Sequence, residues 1–338
     1  MQGAYVSTGT QIFQRRAPRG HKASCDGIRP CDELHARTHR RSSASRAASL
    51  TRYALDMPYR GRLAPSPTGL LHLGHARTFL VAAERASQGT LILRNDDLDT
   101  QRARPEFVQA MLTDLKWLGI RWQEGPQPDG SCPGELGPYD QSRRGAIYSA
   151  ALEQLKATGA VYPCVCSRRD LQNAAHAPHA EDDDEPLYPS TCRNRGGQQD
   201  EAAAWRFRVP DGEIMRFHDA LMGSQEFVAG RDFGDFLVAR RDGLPSYQLA
   251  CVVDDAAMGI TEVVRGADLL RSSARQMLLI RALGLPQPLY AHCALVRNER
   301  GERLAKRDAA TSLQYLRDQG MSPCEVRAKA LAAAGVTR

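Results

Sequence analysis

Two histidines, His72 and His75, follow a short run rich in proline, serine, threonine and glycine. The segment 59–75 is typical of a strand, a Pro/Gly turn and a helix that begins at the histidines. A helix N-terminus offers backbone N–H groups and the positive end of the helix dipole, and imidazoles beside it can donate further hydrogen bonds. The segment therefore predicts a phosphate-binding site. The alternative is a surface turn with two incidental histidines.

A second group of candidate residues is acidic. Arg94 and Asn95 lead into a run of carboxylates from Asp96 to Asp99, directly after a predicted strand at 90–94. Ligands of open α/β sheets bind at the carboxyl ends of the strands, so these carboxylates could hold the amine of a substrate. The alternative is a capped surface loop.

Two further polar side chains flank apolar segments. Tyr247 precedes the apolar run 249–253, which predicts a buried parallel strand with Cys251 as a small core residue. Arg265 ends the next predicted strand, 262–265. A guanidinium there is suited to a carboxylate ligand. Taken singly, the tyrosine could instead lie at the core edge and the arginine in a structural ion pair.

Three cysteines have a spacing that suits a metal. Cys164 and Cys166 lie two positions apart, and Cys192 follows later in the chain. Such thiolates form tetrahedral zinc sites with one further ligand, and residue chemistry alone favours His176 or His179. A zinc here would be structural, stabilising a small insertion that has little core of its own. The alternative is a set of free thiols.

The loop Gly301–Asp308 is basic and contains Lys306. A mobile cationic loop can bring positive charge to a triphosphate in the transition state. Most basic loops are simply solvated. A functional role for this segment is therefore supported only by its position after the other candidate residues.

These side chains are expected to lie on an α/β framework, because apolar residues recur with strand and helix spacing in turn. The expected fold is a Rossmann-like parallel sheet with a small zinc-bearing insertion and a short helical C-terminal region. The expected strands are 59–63, 90–94, 236–240, 247–254 and 262–265, and the expected helices are 73–88, 105–118, 142–158 and 268–283.

Composition divides the chain into five regions. Residues 1–56 account for the whole net charge of +6 and show no regular apolar period, so we expect a disordered basic extension. It is either a transit segment or a mis-assigned start, with Met57 as the true first residue. The catalytic domain is expected at 57–160 and 231–295, the insertion at 161–230 and the basic loop with helices at 296–338.

Bulk properties exclude other classes of protein. The chain of 338 residues contains no apolar run of the ~18 residues that a membrane helix needs. Its nine cysteines are unevenly spaced, which argues against a disulfide scaffold and for a reducing, cytoplasmic compartment.

Together these motifs resemble the class I aminoacyl-tRNA synthetases, within them the glutamyl branch. His72-Leu73-Gly74-His75 is similar to their HIGH motif, and the segment 62–69 is similar to the glutamyl-type lead-in. The basic loop resembles their KMSKS loop, with Arg303 in place of the first lysine and Ala305 in place of the serine.

The resemblance implies roles for individual residues. Catalysis is expected from His72, His75 and Lys306. Glutamate is expected to contact Arg62, Ala64, Ser66, Asp96, Tyr247 and Arg265, although the family usually has Glu at the position of Asp96. ATP, with Mg²⁺, is expected to contact Thr68, Gly69, His72, Gly74, His75, Arg303, Leu304, Ala305, Lys306 and Arg307. Zinc is expected on Cys164, Cys166, Tyr188 and Cys192, because the resemblance makes Tyr188 the fourth ligand.

Only 31 residues follow Arg307, too few for a separate anticodon-binding module. With the cysteine pattern, this length resembles the glutamyl-Q tRNA(Asp) synthetases. The resemblance then implies a monomer that activates L-glutamate with ATP, without tRNA, and transfers it to queuosine at the wobble position of tRNA(Asp). The alternatives are a minimal synthetase that charges a tRNA 3′ end, an enzyme that adenylates another amino acid, and a non-catalytic zinc-bearing RNA-binding protein.

Overall fold

A computed structural model describes residues 58–167, 170, 187–194, 203–296 and 312–332. Several predictions lie outside these residues. They are the basic extension 1–56 with the start at Met57, the alternative metal ligands His176 and His179, and the predicted ATP contacts Arg303, Leu304, Ala305, Lys306 and Arg307.

The described residues form strands and helices in alternation. The strands are β1 (Arg60–Leu63), β2 (Thr90–Leu93), β3 (Val161–Cys164), β4 (Ala204–Phe207), β5 (Ile214–Asp219), β6 (Gly223–Val228), β7 (Leu237–Ala239), β8 (Glu262–Gly266) and β9 (Leu289–Cys293). The helices are α1 (Leu73–Arg85), α2 (Pro105–Trp117), α3 (Gly145–Ala157), α4 (Tyr247–Ala257), α5 (Leu270–Leu283), α6 (Leu313–Asp318) and α7 (Pro323–Ala332). Short 3₁₀ turns, Gln141–Arg143 and Ala267–Leu269, precede α3 and α5.

A parallel sheet forms the centre of the fold. β1 pairs in parallel with β2, and β9 pairs in parallel with both β8 and β5. The backbone N–H of Thr261, just before β8, donates to the carbonyl of Arg60 at 3.0 Å. This bond joins the two groups of strands in the order β2-β1-β8-β9-β5, and β6 adds an antiparallel edge. The predicted mixed α/β fold with parallel strands is confirmed.

Helices cover both faces of this sheet. Along β2, Leu91 and Leu93 belong to one buried cluster and Ile92 to another, as expected when alternate side chains point to opposite faces. The first cluster includes apolar residues of α1 and α2, and the second includes those of α4 and α5. The carboxyl edge of the strands is therefore left for a ligand.

The predicted strand within 247–254 is wrong, because these residues form the helix α4. The Ser246 hydroxyl caps this helix by accepting the N–H of Leu249 at 3.3 Å. Every residue from Gln248 to Asp255 is buried, and the apolar residues 249–253 are consecutive. A short apolar run of this kind does not distinguish a strand from a buried helix.

The remaining differences concern element ends and the sheets to which some strands belong. The helix predicted over 73–88 ends at Arg85, and the one predicted over 142–158 begins at Gly145 after its 3₁₀ turn. Strands β3, β4 and β7 form a separate antiparallel sheet, whereas β5 and β6 of the predicted insertion lie beside β9. Over the described ranges, no helix is both long and apolar enough to cross a membrane.

Candidate active site

The two histidines begin α1 and cap it. His72 is the N-cap residue, and its Nδ1 accepts the N–H of Gly74 at 3.1 Å. The backbone N–H of His72 donates to Nδ1 of His75 at 3.3 Å, and the ring centroids are 3.9 Å apart. Since both Nδ1 atoms are acceptors, each neutral ring carries its hydrogen on Nε2. These Nε2–H groups can donate to an anion at the helix N-terminus.

Glycine at position 74 allows this arrangement. A Cβ atom there would lie 3.0 Å from Cε1 of His72, a tight contact that the imidazole could relieve only by shifting a few tenths of an ångström. The histidines also meet the chain that follows the basic loop. His72 pairs with Ser312, and the N–H of Leu313 donates to the carbonyl of Leu71 at 2.8 Å.

The loop after β1 is tied to the loop after β2. The N–H of Asp96 donates to the carbonyl of Pro65, and that of Arg104 donates to the carbonyl of Pro67, both at 3.1 Å. These bonds fix the carboxyl ends of two neighbouring strands relative to each other. Several predicted ligand contacts on the first loop remain at least partly accessible, namely Ala64, Ser66, Thr68 and Gly69.

Arg94 is a structural cation beneath the site. Its side chain is fully buried and contacts three carboxylates. The distances are 2.7 Å from Nε to Asp96, 2.7 Å from Nη1 to Asp255 and 3.7 Å from Nε to Asp254. Asp254 also accepts from Arg144, so it is enclosed by donors. Arg94 therefore holds the acids in place and has little capacity left for a ligand.

The two acids nearest the pocket differ in ionisation. Burial raises the pKa of Asp96 to about 6, although the charge of Arg94 opposes this shift. Burial also disfavours ionisation of Asp255, but the charges of Arg62 and Arg94 outweigh it and lower the pKa. Asp255, whose Oδ1 lies 3.4 Å from Nε of Arg62, is thus the acid that stays ionised most readily. The sequence had offered the carboxylates of 96–99, and the resemblance had selected Asp96 among them.

Arg265 differs from Arg94 in what surrounds it. Nη1 donates to Gln276 Oε1 at 2.9 Å, Nη2 donates to Ser273 Oγ at 2.6 Å, and Nε donates to His292 Nε2 at 3.2 Å. The hydroxyl of Tyr247 lies 3.5 Å from Nη1. All of these acceptors are neutral, and no carboxylate of the described chain lies within salt-bridge distance of Arg265. Its buried charge is therefore available to an anionic ligand.

The predicted substrate residues form one connected group. Arg62 donates from Nη1 to the carbonyl of Val264 at 2.9 Å, so it lies beside β8, the strand that contains Arg265. Its Nε is buried and makes no hydrogen bond to the described residues. The structure brings together Arg62, Asp96, Tyr247 and Arg265. Sequence reasoning missed the groups that hold them, which are Asp219, Asp255, Ser273, Gln276 and His292.

The cysteine cluster lies at the antiparallel sheet, in a small buried group separate from the two main apolar clusters. The Sγ atoms of Cys164, Cys166 and Cys192 lie within 4.8 Å of one another. The hydroxyl of Tyr188 is 3.3 Å from Cys164 Sγ and 3.5 Å from Cys166 Sγ, and the Cys166–Cys192 distance is 3.6 Å. Ligands around a tetrahedral zinc are roughly 3.5–3.8 Å apart, as bond lengths of about 2.0 Å to oxygen and 2.3 Å to sulfur require. The four side chains therefore fit a zinc ion.

Arg206 lies against the same cluster. Its Nε donates to Cys164 Sγ at 3.4 Å, and its guanidinium lies 4.1 Å from the centre of the Tyr188 ring. Three thiolates would leave a zinc ion with a net charge of about −1, which this buried arginine offsets.

Comparison with known proteins identifies the family. The description "tRNA synthetases class I (E and Q), catalytic domain" matches residues 59–338. The chain belongs to this family. It is therefore a synthetase of the ligase type, and the HIGH-like and KMSKS-like segments lie in the matched range.

Curated relatives include two named glutamyl-Q tRNA(Asp) synthetase. The protein from Nitratidesulfovibrio vulgaris is 46% identical over 276 residues, which cover 79% of this synthetase and 83% of the relative. The protein from Symbiobacterium thermophilum is 47% identical, covering 78% and 82%. Glutamate–tRNA ligase 2 of Nitrosococcus oceani is 42% identical, but the match covers only 56% of its length.

A solved structure shows the same fold. The glutamate tRNA ligase of Elizabethkingia meningosepticum, crystallised with its amino acid, is 31% identical with a TM-score of 0.64. The match covers 75% of this synthetase and 52% of the ligase, so the synthetase spans about half of that structure.

Replacing Cys192 by serine is expected to abolish zinc binding by the synthetase. Serine is a poor zinc ligand, and a structural zinc contributes directly to folding, so Tm should also fall by several degrees. Metal content of the purified protein and a thermal melt measure the two effects. Cys132 is exposed and serves as the matched control, because Cys132→Ser should retain the metal. Wild-type protein without zinc, or Cys192→Ser with an undiminished amount, would contradict the assignment.

Acid is expected to destabilise the synthetase through His292. Burial and the charge of Arg265 lower the pKa of His292 to about 4, although Asp219 opposes them. The unfolded chain binds this proton below about pH 6.5, whereas the folded chain does so only near pH 4. Stability present above pH 6.5 is therefore lost on acidification, by roughly 2 kcal/mol between about pH 8 and pH 5.

Urea unfolding at both pH values measures this loss. His292→Gln removes the titrating group and should show a correspondingly smaller difference between the two conditions. An identical pH dependence in the wild type and the variant would show that His292 does not contribute.

Proposed function

We propose that this chain activates L-glutamate with ATP and transfers the glutamyl group to queuosine at the wobble position of tRNA(Asp). The observation that carries the glutamate assignment is Arg265, whose buried charge is held by neutral groups at the carboxyl edge of the sheet. A carboxylate supplies the missing negative charge. The queuosine assignment is supported by two relatives with that name, matched over most of their length.

The amino acid is held by opposite charges at its two ends. Arg265 and Tyr247 bind the side-chain carboxylate, which distinguishes glutamate from shorter and neutral amino acids. The ammonium group is bound by Asp96 or Asp255, since each carboxylate retains acceptor capacity beyond its contact with Arg94. Arg62, whose guanidinium lies beside both Asp255 and β8, binds the α-carboxylate.

ATP is bound at the start of α1. The Nε2–H groups of His72 and His75 and the helix N-terminus bind the phosphates, with Thr68, Gly69 and Gly74 shaping the loop. Lys306 belongs to the basic loop, outside the described residues, and supplies further positive charge. Mg²⁺ accompanies the nucleotide as part of the substrate.

The proposed reaction has two steps and needs no enzyme nucleophile. The α-carboxylate of glutamate attacks the α-phosphorus of ATP, and pyrophosphate leaves. A hydroxyl of the queuosine cyclopentene ring then attacks the carbonyl carbon of the glutamyl adenylate, forming an ester and releasing AMP. The residues above act by positioning the reactants and by stabilising charge. The zinc held by Cys164, Cys166, Tyr188 and Cys192 is structural.

The proposal is tested by incubation with labelled glutamate, ATP and tRNA(Asp). Label should enter tRNA(Asp) that contains queuosine and not the same tRNA without it. Transfer that is independent of queuosine would contradict the proposed acceptor, although pyrophosphate exchange would still report glutamate activation.

A second candidate is the charging of a tRNA 3′ end, because a relative at 42% identity is named glutamate–tRNA ligase. Periodate oxidation of tRNA does not separate the two candidates, because it destroys both the terminal diol and the diol of queuosine. The assay therefore uses tRNA shortened by its 3′-terminal adenosine. The proposed function predicts that transfer survives this truncation, whereas 3′ charging requires that it disappears.

A further inference from the structure

A buried acid and imidazole lie behind Arg265. Asp219 and His292 are both completely buried. Oδ2 of Asp219 lies 2.5 Å from Nδ1 of His292, and the same carboxylate accepts the backbone N–H of His292 at 3.0 Å. The second oxygen, Oδ1, accepts the N–H groups of Leu221 at 2.9 Å and Met222 at 2.8 Å. Asp219 is thus used entirely as an acceptor, which fixes a hydrogen on Nδ1 of His292.

The hydrogen on Nδ1 determines whether Nε2 of His292 is a hydrogen-bond donor or an acceptor toward Arg265. With Nδ1 protonated, Nε2 of the neutral ring is an acceptor. It accepts Nε–H of Arg265 at 3.2 Å and lies 2.9 Å from Oγ of Ser273. Ser273 Oγ in turn accepts from Nη2 of Arg265 at 2.6 Å. The imidazole and the hydroxyl therefore orient the guanidinium from two sides.

The order Asp219, His292, Ser273 has the geometry of a nucleophilic triad, but it does not act as one. Ser273 is completely buried, and its oxygen is occupied by Nη2 of Arg265. A substrate carbonyl has no access to it. The group can only act through the arginine that it contacts.

We propose that Asp219, His292 and Ser273 form a positioning relay. The relay orients the guanidinium of Arg265 and leaves its positive charge available to the substrate carboxylate. The relay deepens the proposed function, since it rests on Arg265 as the site of the glutamate side-chain carboxylate. Direct contact with a carboxylate would orient the guanidinium equally well. It would also neutralise the charge locally, as the three acids do around Arg94.

The relay therefore separates the carboxylate of Asp219 from the guanidinium of Arg265 by the imidazole ring of His292. Asp219 lies beyond the imidazole, so it sets the tautomer without pairing with Arg265 itself. A carboxylate ligand gains a charge-assisted pair with Arg265, whereas a carboxamide gains a weaker neutral contact. The relay should consequently control the preference for glutamate over glutamine.

A pair of substitutions at His292 tests this role. His292→Leu keeps a similar volume but removes the acceptor, so KM for glutamate should rise about 10- to 100-fold with KM for ATP unchanged. His292→Gln can place an amide oxygen near the former Nε2 and should restore KM to within about threefold of the wild type. Pyrophosphate exchange with glutamate and with glutamine measures both affinity and preference, and the preference should fall in parallel with the loss of affinity.

A second pair of substitutions tests the relay even if the His292→Leu variant does not fold. Ser273→Ala should raise KM for glutamate about 3- to 10-fold. Ser272 is the matched control, because it is also buried on α5 but accepts from Gln248 at 3.1 Å instead of from Arg265. Ser272→Ala should leave KM for glutamate unchanged.

Two results would overturn the relay. One is an active wild type whose Ser273→Ala and folded His292→Leu variants keep its KM for glutamate. The other is a His292→Gln variant as impaired as His292→Leu, which would indicate a packing role. Failure of the proposed function gives a different result, because the wild type itself would then show no glutamate-dependent exchange.

Discussion

Replacing Arg265 by alanine is expected to lower kcat/KM for glutamate in pyrophosphate exchange by about 1000-fold. The guanidinium is the one buried cation of the candidate site whose neighbours are all neutral groups in the described chain. Without it, the substrate carboxylate would enter a buried site with no opposite charge, which costs far more than a missing surface contact. Arg265→Lys should also be strongly impaired, because an ammonium cannot reproduce the planar fork.

The control for this substitution is Arg281→Ala. Arg281 lies on α5 and pairs with Glu213 at the surface, so its removal should change neither exchange nor the far-ultraviolet circular dichroism spectrum. Circular dichroism of Arg265→Ala should likewise match the wild type, which separates lost binding from lost folding. Glutamate-dependent exchange within threefold of the wild type would remove Arg265 from the site.

Replacing His72 by asparagine is expected to separate helix capping from catalysis. Asparagine is among the best N-cap residues, so its side-chain oxygen should replace Nδ1 as the acceptor for the N–H of Gly74. Stability should therefore change by only a few tenths of a kcal/mol. The Nε2–H donor is lost, however, and kcat should fall about 100- to 1000-fold, as when a single donor to transition-state charge is removed.

His72→Ala is the comparison for this variant. It lacks both functions, so it should lose about 1 kcal/mol of unfolding free energy in addition to the same fall in kcat. Urea unfolding and pyrophosphate exchange on the three proteins measure the two quantities separately. A fall in kcat that follows the fall in stability across the series would show that His72 acts only as a cap.

The contrast between Asp96 and Asp255 shows where sequence reasoning reached its limit. The position of Asp96 after a strand correctly placed it at the carboxyl edge of the sheet. The sequence could not show that Arg94 folds back onto it, because that contact depends on burial of both side chains. Asp255 directly follows the segment predicted as a strand. Because that segment is helical, Asp255 lies on the last buried turn of α4, beside Arg62.

Local chemistry in the sequence determined the catalytic framework. The α/β alternation, the helix that starts at His72 and the cysteine spacing follow from periodicity, capping and ligand preferences, which act over a few residues. The four side chains suited to zinc were found in this way, with the resemblance selecting Tyr188.

Tertiary structure alone decided which charges remain available to a ligand. Arg94 and Arg265 are both buried arginines near strand ends, and an aspartate follows each of them within three residues. Arg94 meets acids from α4, whereas Arg265 meets an imidazole from β9 and a hydroxyl and an amide from α5. Electrostatic compensation depends on neighbours that are distant in sequence, so only the packed fold assigns one arginine to structure and the other to the substrate.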